Sequence, residues 1–85
     1  MNIVWRLIIR HANICYLDLL LSSKMKCDDY LEKWANDNLD YTYEIFLEPL
    51  NESYLHKKLL YQGEIRDVAQ DVKAYDVEIF RHNIL

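Results

Sequence analysis

The spacing of apolar and polar residues predicts a helix over 2–23. Polar residues recur there every three or four positions, at Asn2, Arg6, Arg10 and Asn13. Apolar residues can occupy the opposite side at Ile3, Leu7, Ile14, Leu17 and Leu21. A broad apolar face is typical of a central helix. The alternative is a short strand over 3–10 followed by a helix.

A second helix is predicted from Asp28 or Asp29 to about Asn38. Glu32 stands three residues after Asp29, which resembles a capping box with a carboxylate in place of the usual hydroxyl. The residues that follow the start form an apolar stripe at helical spacing: Tyr30, Leu31, Trp34 and Ala35. The pattern therefore favours an amphipathic helix that ends just before residue 39.

Two more helices are predicted in the second half of the chain. One covers 51–63, with Asn51 as its N-cap and Gly63, the single glycine, as its C-terminal stop. The other covers 64–81, where apolar residues repeat at alternating intervals of three and four, at Ile65, Val68, Val72, Tyr75 and Ile79. This apolar seam fits helix packing within the fold or in a homodimer. A strand over 75–80 is the alternative.

The segment 41–48 fits a helix and a strand. Helical spacing is followed by Tyr43, Phe46, Leu47 and Leu50. A strand would alternate apolar and polar positions, except that Phe46 puts an aromatic ring on the polar side. We predict the helix, which Pro49 would end because a residue before proline avoids helical geometry.

Composition points in the same direction as the spacing. The chain has 85 residues, one glycine and one proline. Sheet proteins need many tight turns, and tight turns draw heavily on glycine and proline. The predicted fold is thus an all-α single domain, 1–85, with four or five short helices. The alternative is an α+β fold with a sheet of two or three strands.

Negative charge is concentrated in the middle of the chain. Residues 28–52 contain eight acidic residues and one lysine, a net charge of −7, within a total of −4. Asp40, Glu44 and Glu48 are spaced by four, which on a helix would place like charges side by side at a cost of about 0.2–0.5 kcal/mol per pair. An acidic face that lowers the stability of its helix is a candidate for function. The alternative is that it only keeps the protein soluble.

Composition and charge also exclude several classes of protein. Direct nucleic-acid binding needs basic contacts with phosphates, so the acidic block disfavours it. The apolar start is interrupted by Arg6, Arg10 and Asp18 and lacks a signal-peptide cleavage site, so neither a membrane span nor a leader is predicted. Two cysteines are too few for a disulfide scaffold. A cytoplasmic protein with reduced thiols is predicted.

Metal and catalytic chemistry have weak candidates. His11 and Cys15 would share one side of a helix, and Cys27 with His56 or His82 could complete a metal site. However, the chain has neither a CxxC nor an HxxxH pair, and the candidate cysteines are more typical of buried apolar positions. No nucleophile is accompanied by an evident base. We therefore predict no metal, no cofactor and no enzymatic activity.

The acidic stretch leads to the functional hypothesis. We expect a protein-binding module that presents carboxylates and tyrosines to a basic partner, a nuclease or another nucleic-acid-acting protein, with Trp34 nearby as an aromatic anchor. Its most specific form is an inhibitor such as an immunity protein, antitoxin or phage-type antagonist. The predicted partner-binding residues are Asp37, Asp40, Tyr41, Tyr43, Glu44 and Glu48. The alternative is a structural or self-associating subunit that uses the apolar seam over 65–79.

Overall fold

The computed structural model describes residues 2–50 and 58–84, which form a five-stranded antiparallel sheet and one helix. The elements are β1 (Asn2–His11), β2 (Ile14–Leu21), α1 (Lys24–Asn38), β3 (Tyr43–Pro49), β4 (Lys58–Asp67) and β5 (Val72–Ile84). The strands lie in the order β2-β1-β5-β4-β3. Consequently β2 and β3 are the two edge strands of the sheet.

The predicted all-α bundle is wrong, and the fold is α+β, with more strands than the α+β alternative allowed. The segments 2–23 and 64–81, predicted as helices, instead contain the hairpins β1–β2 and β4–β5. A spacing of four residues does not separate the two structures, because residues i and i+4 share a face on a strand as they do on a helix. The alternative strands over 3–10 and 75–80 are confirmed within β1 and β5, although the strand β2 and not a helix follows the first of them. The alternative strand over 41–48 is confirmed from Tyr43 onward, in β3.

The chain makes two of its hairpin turns without glycine. Ala12 and Asp71 adopt left-handed backbone conformations, with φ of 52° and 55°, in the turns that follow β1 and β4. Glycine normally supplies that geometry, so the low glycine content was misleading. Gly63 lies inside β4 and stops no helix. Residues 51–57 of the helix predicted there lie outside the described residues.

The helix α1 is the predicted helix that the structure confirms, with an earlier start. Ser23 is the N-cap, and its side-chain oxygen accepts a hydrogen bond from the backbone N–H of Lys26 at 3.2 Å. The helix therefore begins at Lys24 rather than at Asp28 or Asp29, and it ends at Asn38 as predicted. In the described part of the chain it is the sole helix, and it is not long and apolar enough to cross a membrane.

The core lies between α1 and one face of the sheet. Its fully buried side chains come from the inner face of α1 and from the three central strands, and they are Leu7, Ile9, Cys27, Leu31, Ala35, Ile65, Val77 and Ile79. The helix packs chiefly against β1 and β2. It therefore sits toward one edge of the sheet and leaves the helix side of β3 less covered.

Candidate protein-interaction surface

The strand β3 divides the acidic stretch between the two faces of the sheet. Three half-buried residues point toward the helix side, namely Tyr43, Ile45 and Leu47. Three exposed residues point to the opposite, helix-free face, namely Glu44, Phe46 and Glu48. Along a strand Glu44 and Glu48 are about 13 Å apart, so the side-by-side repulsion predicted for a helix does not arise. The predicted helical geometry of this segment is wrong, and its residues are divided between the two faces of a strand.

The other predicted site residues lie on two neighbouring elements. Asp37 is exposed in the last turn of α1. Asp40 and Tyr41 lie in the short segment between α1 and β3, where Asp40 is exposed and Tyr41 is half-buried. The four exposed acids thus follow the chain from the end of α1 along the outer strand, and we call them the acidic edge: Asp37, Asp40, Glu44 and Glu48.

The two tyrosines of the predicted site, Tyr41 and Tyr43, are half-buried. The hydroxyl of Tyr43 donates a hydrogen bond to the side-chain oxygen of Asn36 at 2.5 Å, which ties β3 to α1. Burial raises the pKa of the Tyr41 phenol, and the neighbouring Tyr75, Asp67 and Asp40 act in the same direction. Tyr43 is therefore engaged within the protomer, and Tyr41 is half-buried.

Trp34 is also an internal residue. Its ring packs edge-on against Tyr75, with ring centroids 5.2 Å apart, and Tyr16 contacts the same tyrosine at 5.3 Å. The aromatic side chain available at the acidic edge is instead Phe46, which is 48% exposed between Glu44 and Glu48. The signal for it was present in the sequence, since Phe46 is the apolar residue that interrupts the polar side of an alternating strand.

Most of the other acidic residues on the helix-free face are neutralised. Arg6 of β1 donates to both carboxylate oxygens of Asp18 at 2.7 and 2.5 Å, and this lowers the pKa of Asp18. Further ion pairs on the sheet and its turns join Arg10 to Glu78, Lys73 to Asp76, and Arg66 to Glu64 and Asp71. On the helix, Lys24 pairs with Asp28 at 2.7 Å.

The acidic edge lacks such partners. Within residues 2–50 and 58–84, none of its four carboxylates forms an ion pair or accepts a side-chain hydrogen bond. Asp29 and Glu32 on the exposed side of α1 are likewise unpaired in that part of the chain. Among the described residues, the exposed acids without an ion-pair partner therefore follow the chain from α1 to β3. This region can attract cationic groups at long range.

The candidate metal ligands are not brought together. His11 contacts Tyr75 on the helix side, whereas Cys15 lies opposite Arg10, whose side chain is on the helix-free face. Cys27 is fully buried in α1, and burial with a smaller contribution from Asp28 raises the pKa of its thiol to about 11. Among the described residues no three His, Cys, Asp or Glu side chains are grouped to hold a metal ion. His56 lies outside those residues.

Comparison of the chain with protein-family models, with curated protein sequences and with solved structures gave no significant match. Function is therefore inferred from the residues and geometry of this chain.

Proposed function

We propose that the protein is a non-catalytic cytosolic binding module whose acidic edge docks on a basic partner protein. One observation carries the proposal. Six carboxylates elsewhere in the described chain are held in ion pairs, while the four of the acidic edge are exposed and have none. Charges that are not neutralised within the protomer are those able to steer a partner of opposite sign.

The same surface has an apolar anchor beside the charges. Phe46 adjoins a hollow of 280 Å³ on the helix-free face, which is also lined by Glu48, Gln62 and Glu64. Aromatic side chains at the centre of a polar rim are typical of protein interfaces. A partner with a basic groove suits this arrangement, because carboxylates on a rigid strand can take the places of phosphates. We therefore propose inhibition of a nucleic-acid-acting protein as its specific role.

Affinity capture from a lysate of the native host tests the proposal. The wild-type protein is the bait, elution is stepped with salt, and the eluted proteins are identified by mass spectrometry. We expect a basic, nucleic-acid-acting protein that is released as the salt concentration rises. The same protein should be lost from a D40N/E44Q bait, in which two charges of the acidic edge are neutralised.

A matched bait controls for net charge. The N13K/S22K variant changes two exposed residues that flank β2, at the opposite edge of the sheet. Both variants have a net charge of −4 + 2 = −2. The proposal predicts that N13K/S22K retains the partner. If both baits lost the partner equally, binding would depend on the net charge of the protein and not on the acidic edge, which would contradict the proposal.

Self-association is a second candidate function, and the edge strand β2 favours it. Its exposed residues include Ile14, Tyr16 and Leu20, at 55%, 47% and 60% exposure. Its one charge, Asp18, is neutralised by Arg6 of the same protomer. Natural sheets protect an edge with charges or proline, as β3 does with Glu44, Glu48 and Pro49, and β2 lacks that protection.

The apolar seam over 65–79 does not supply this contact. Ile65 and Ile79 are fully buried in the core of the protomer, while Val68 and Val72 lie exposed at the β4–β5 turn. A homodimer would instead pair β2 with its copy in antiparallel fashion and join two sheets into one.

Sedimentation of a Leu20→Glu variant tests the β2 contact. We expect the wild-type protein to sediment as a dimer at micromolar concentration and the variant as a monomer, because the change replaces an exposed apolar residue with a charge on the strand edge that would pair. The protomer tolerates the change, since Leu20 is exposed and lies opposite Arg6. The control Val68→Glu adds the same charge at an exposed apolar residue away from β2. A monomeric wild type, or equal effects of the two variants, would contradict this candidate.

A further inference from the structure

A groove lies between α1 and β3 on the helix side of the sheet. It has a volume of 370 Å³ and is lined by Asp28, Leu31, Glu32, Tyr43, Ile45 and Leu47. Its apolar lining comes from the three inward-facing residues of β3 and from Leu31, and its two carboxylates come from the helix. Because β3 is an edge strand, the groove is open on the outer side of the sheet.

The width of the sheet explains why this groove exists. Four strand spacings of about 4.8 Å separate the outer strands by about 19 Å, whereas a helix with its side chains is about 10–12 Å wide. One helix therefore covers about half of the sheet. The helix α1 packs chiefly against β1 and β2, so within residues 2–50 and 58–84 the strip left uncovered is the one above β3. That strip has the shape and polarity of a site for a second helix laid beside α1.

We infer that the groove binds an amphipathic α-helix of the partner protein, with apolar residues on its inner side and Lys or Arg on its flank. The inference deepens the proposed function and rests on it. Apolar anchors at helical spacing would contact Ile45 and Leu47, and a cationic side chain on the flank would pair with Glu32, which has no ion-pair partner in the described chain. The carboxylate of Asp28 already pairs with Lys24, so it would contribute less to binding a cationic side chain.

Other occupants fit the groove less well. A strand added to β3 would lie in the plane of the sheet and leave the groove above it empty. A second copy of this chain would offer α1, which carries four acidic residues and three lysines and so brings net negative charge to an acidic rim. A helix with basic residues is therefore the occupant whose charge best complements the acidic rim of the groove.

A model peptide tests the inference directly. The probe is a fluorescent amphipathic helix of Leu and Lys, about 18 residues or five turns long. A peptide of the same composition in scrambled order, with no apolar face, serves as the comparison. We expect the amphipathic peptide to bind at least about tenfold more tightly than the scrambled one. In amide chemical-shift mapping, the largest changes should be at Leu31, Ile45 and Leu47.

Two variants with equal charge change locate the contact. Glu32→Lys should weaken peptide binding at least about tenfold, whereas N13K/S22K, with the same change of +2, should weaken it less than about twofold. Equal weakening by both variants, shift changes centred elsewhere, or no preference for the amphipathic peptide would each overturn the inference.

The variant Leu47→Gln distinguishes failure of the groove from failure of the proposed function. It removes an apolar side chain that lines the groove and packs against the core, and it retains all four carboxylates of the acidic edge. In lysate capture, a partner that is lost from D40N/E44Q but retained by both Leu47→Gln and Glu32→Lys would overturn the groove and leave the acidic edge in place. A partner lost from all three baits supports both.

Discussion

Replacing Gly63 with alanine is expected to lower the free energy of unfolding by about 3 kcal/mol, the upper part of the range for an overpacked site. A Cβ at this position would overlap the carbonyl oxygen of Phe46 on the neighbouring strand and lie 2.9 Å from the Cα of Leu47. These atoms belong to the backbone, which cannot move aside as the end of a flexible side chain can. The edge strand β3 would have to separate from β4.

Urea unfolding followed by circular dichroism measures this loss. Small domains have about 5–15 kcal/mol of stability in total, so Gly63→Ala should shift the midpoint strongly. Gln62→Ala is the matched control, because Gln62 adjoins Gly63 on β4 and is exposed. It should shift the midpoint little. Equal midpoints for the two variants would contradict the close approach of β4 to β3.

Amide exchange gives an independent readout of the same change. In the Gly63→Ala protein the amides of β3 should lose protection before those of β1 and β5, which are paired on both sides. Since β3 carries half of the acidic edge, the variant should also weaken partner binding. We therefore expect the Gly63→Ala change to lower both the stability of the protein and its affinity for the partner.

The sequence shows where apolar and polar residues lie, but that pattern did not decide between the spacing of a helix and the alternation of a strand. Arg6 and Arg10, four residues apart, share a face of β1 as they would share a face of a helix. On 41–48 the strand alternation is visible in the sequence, but Phe46 interrupts it and so favours the helix. In the structure Phe46 is the exposed aromatic side chain of the acidic edge.

Turn chemistry is the second source of error. A chain with one glycine disfavours a sheet because tight turns normally need positive φ at glycine. Here Ala12 and Asp71 adopt that conformation, and the flanking strand pairs fix it in both hairpins. The pairing of distant strands outweighs a local cost of about 1–2 kcal/mol at each turn. Such long-range compensation leaves no local mark in the sequence.

The acidic residues are evident as a cluster in the sequence, but their neutralisation could not be foreseen. For Asp18 and Glu78, whose ion-pair partners lie on a neighbouring strand, pairing depends on the register of the sheet. Register places Asp18 and Arg6 on adjacent strands, where they pair at 2.5 Å. It also places Glu44 opposite Arg66, yet Arg66 pairs with Glu64 and Asp71 instead. The lack of an ion-pair partner at Glu44 is thus a property of the fold.

Reversal of charge at the acidic edge should give the largest effect on binding. In the variant Asp40→Lys/Glu44→Lys, we expect association with the captured partner to slow by more than about tenfold at low salt. Two attractive charges become repulsive at the point of first encounter. Stopped-flow measurement of the association rate at several salt concentrations checks this, and the difference from wild type should shrink as screening increases.

Stability controls separate this effect from damage to the fold. The Glu44→Lys change puts an ammonium group directly opposite Arg66 on β4, and like charges in that position cost about 0.2–1 kcal/mol. The reversed variant should therefore remain folded and be slightly less stable than wild type. Its association should be slower than that of D40N/E44Q, while N13K/S22K should stay within about twofold of wild type. A folded reversal variant with an unchanged association rate would show that the acidic edge is not the docking surface.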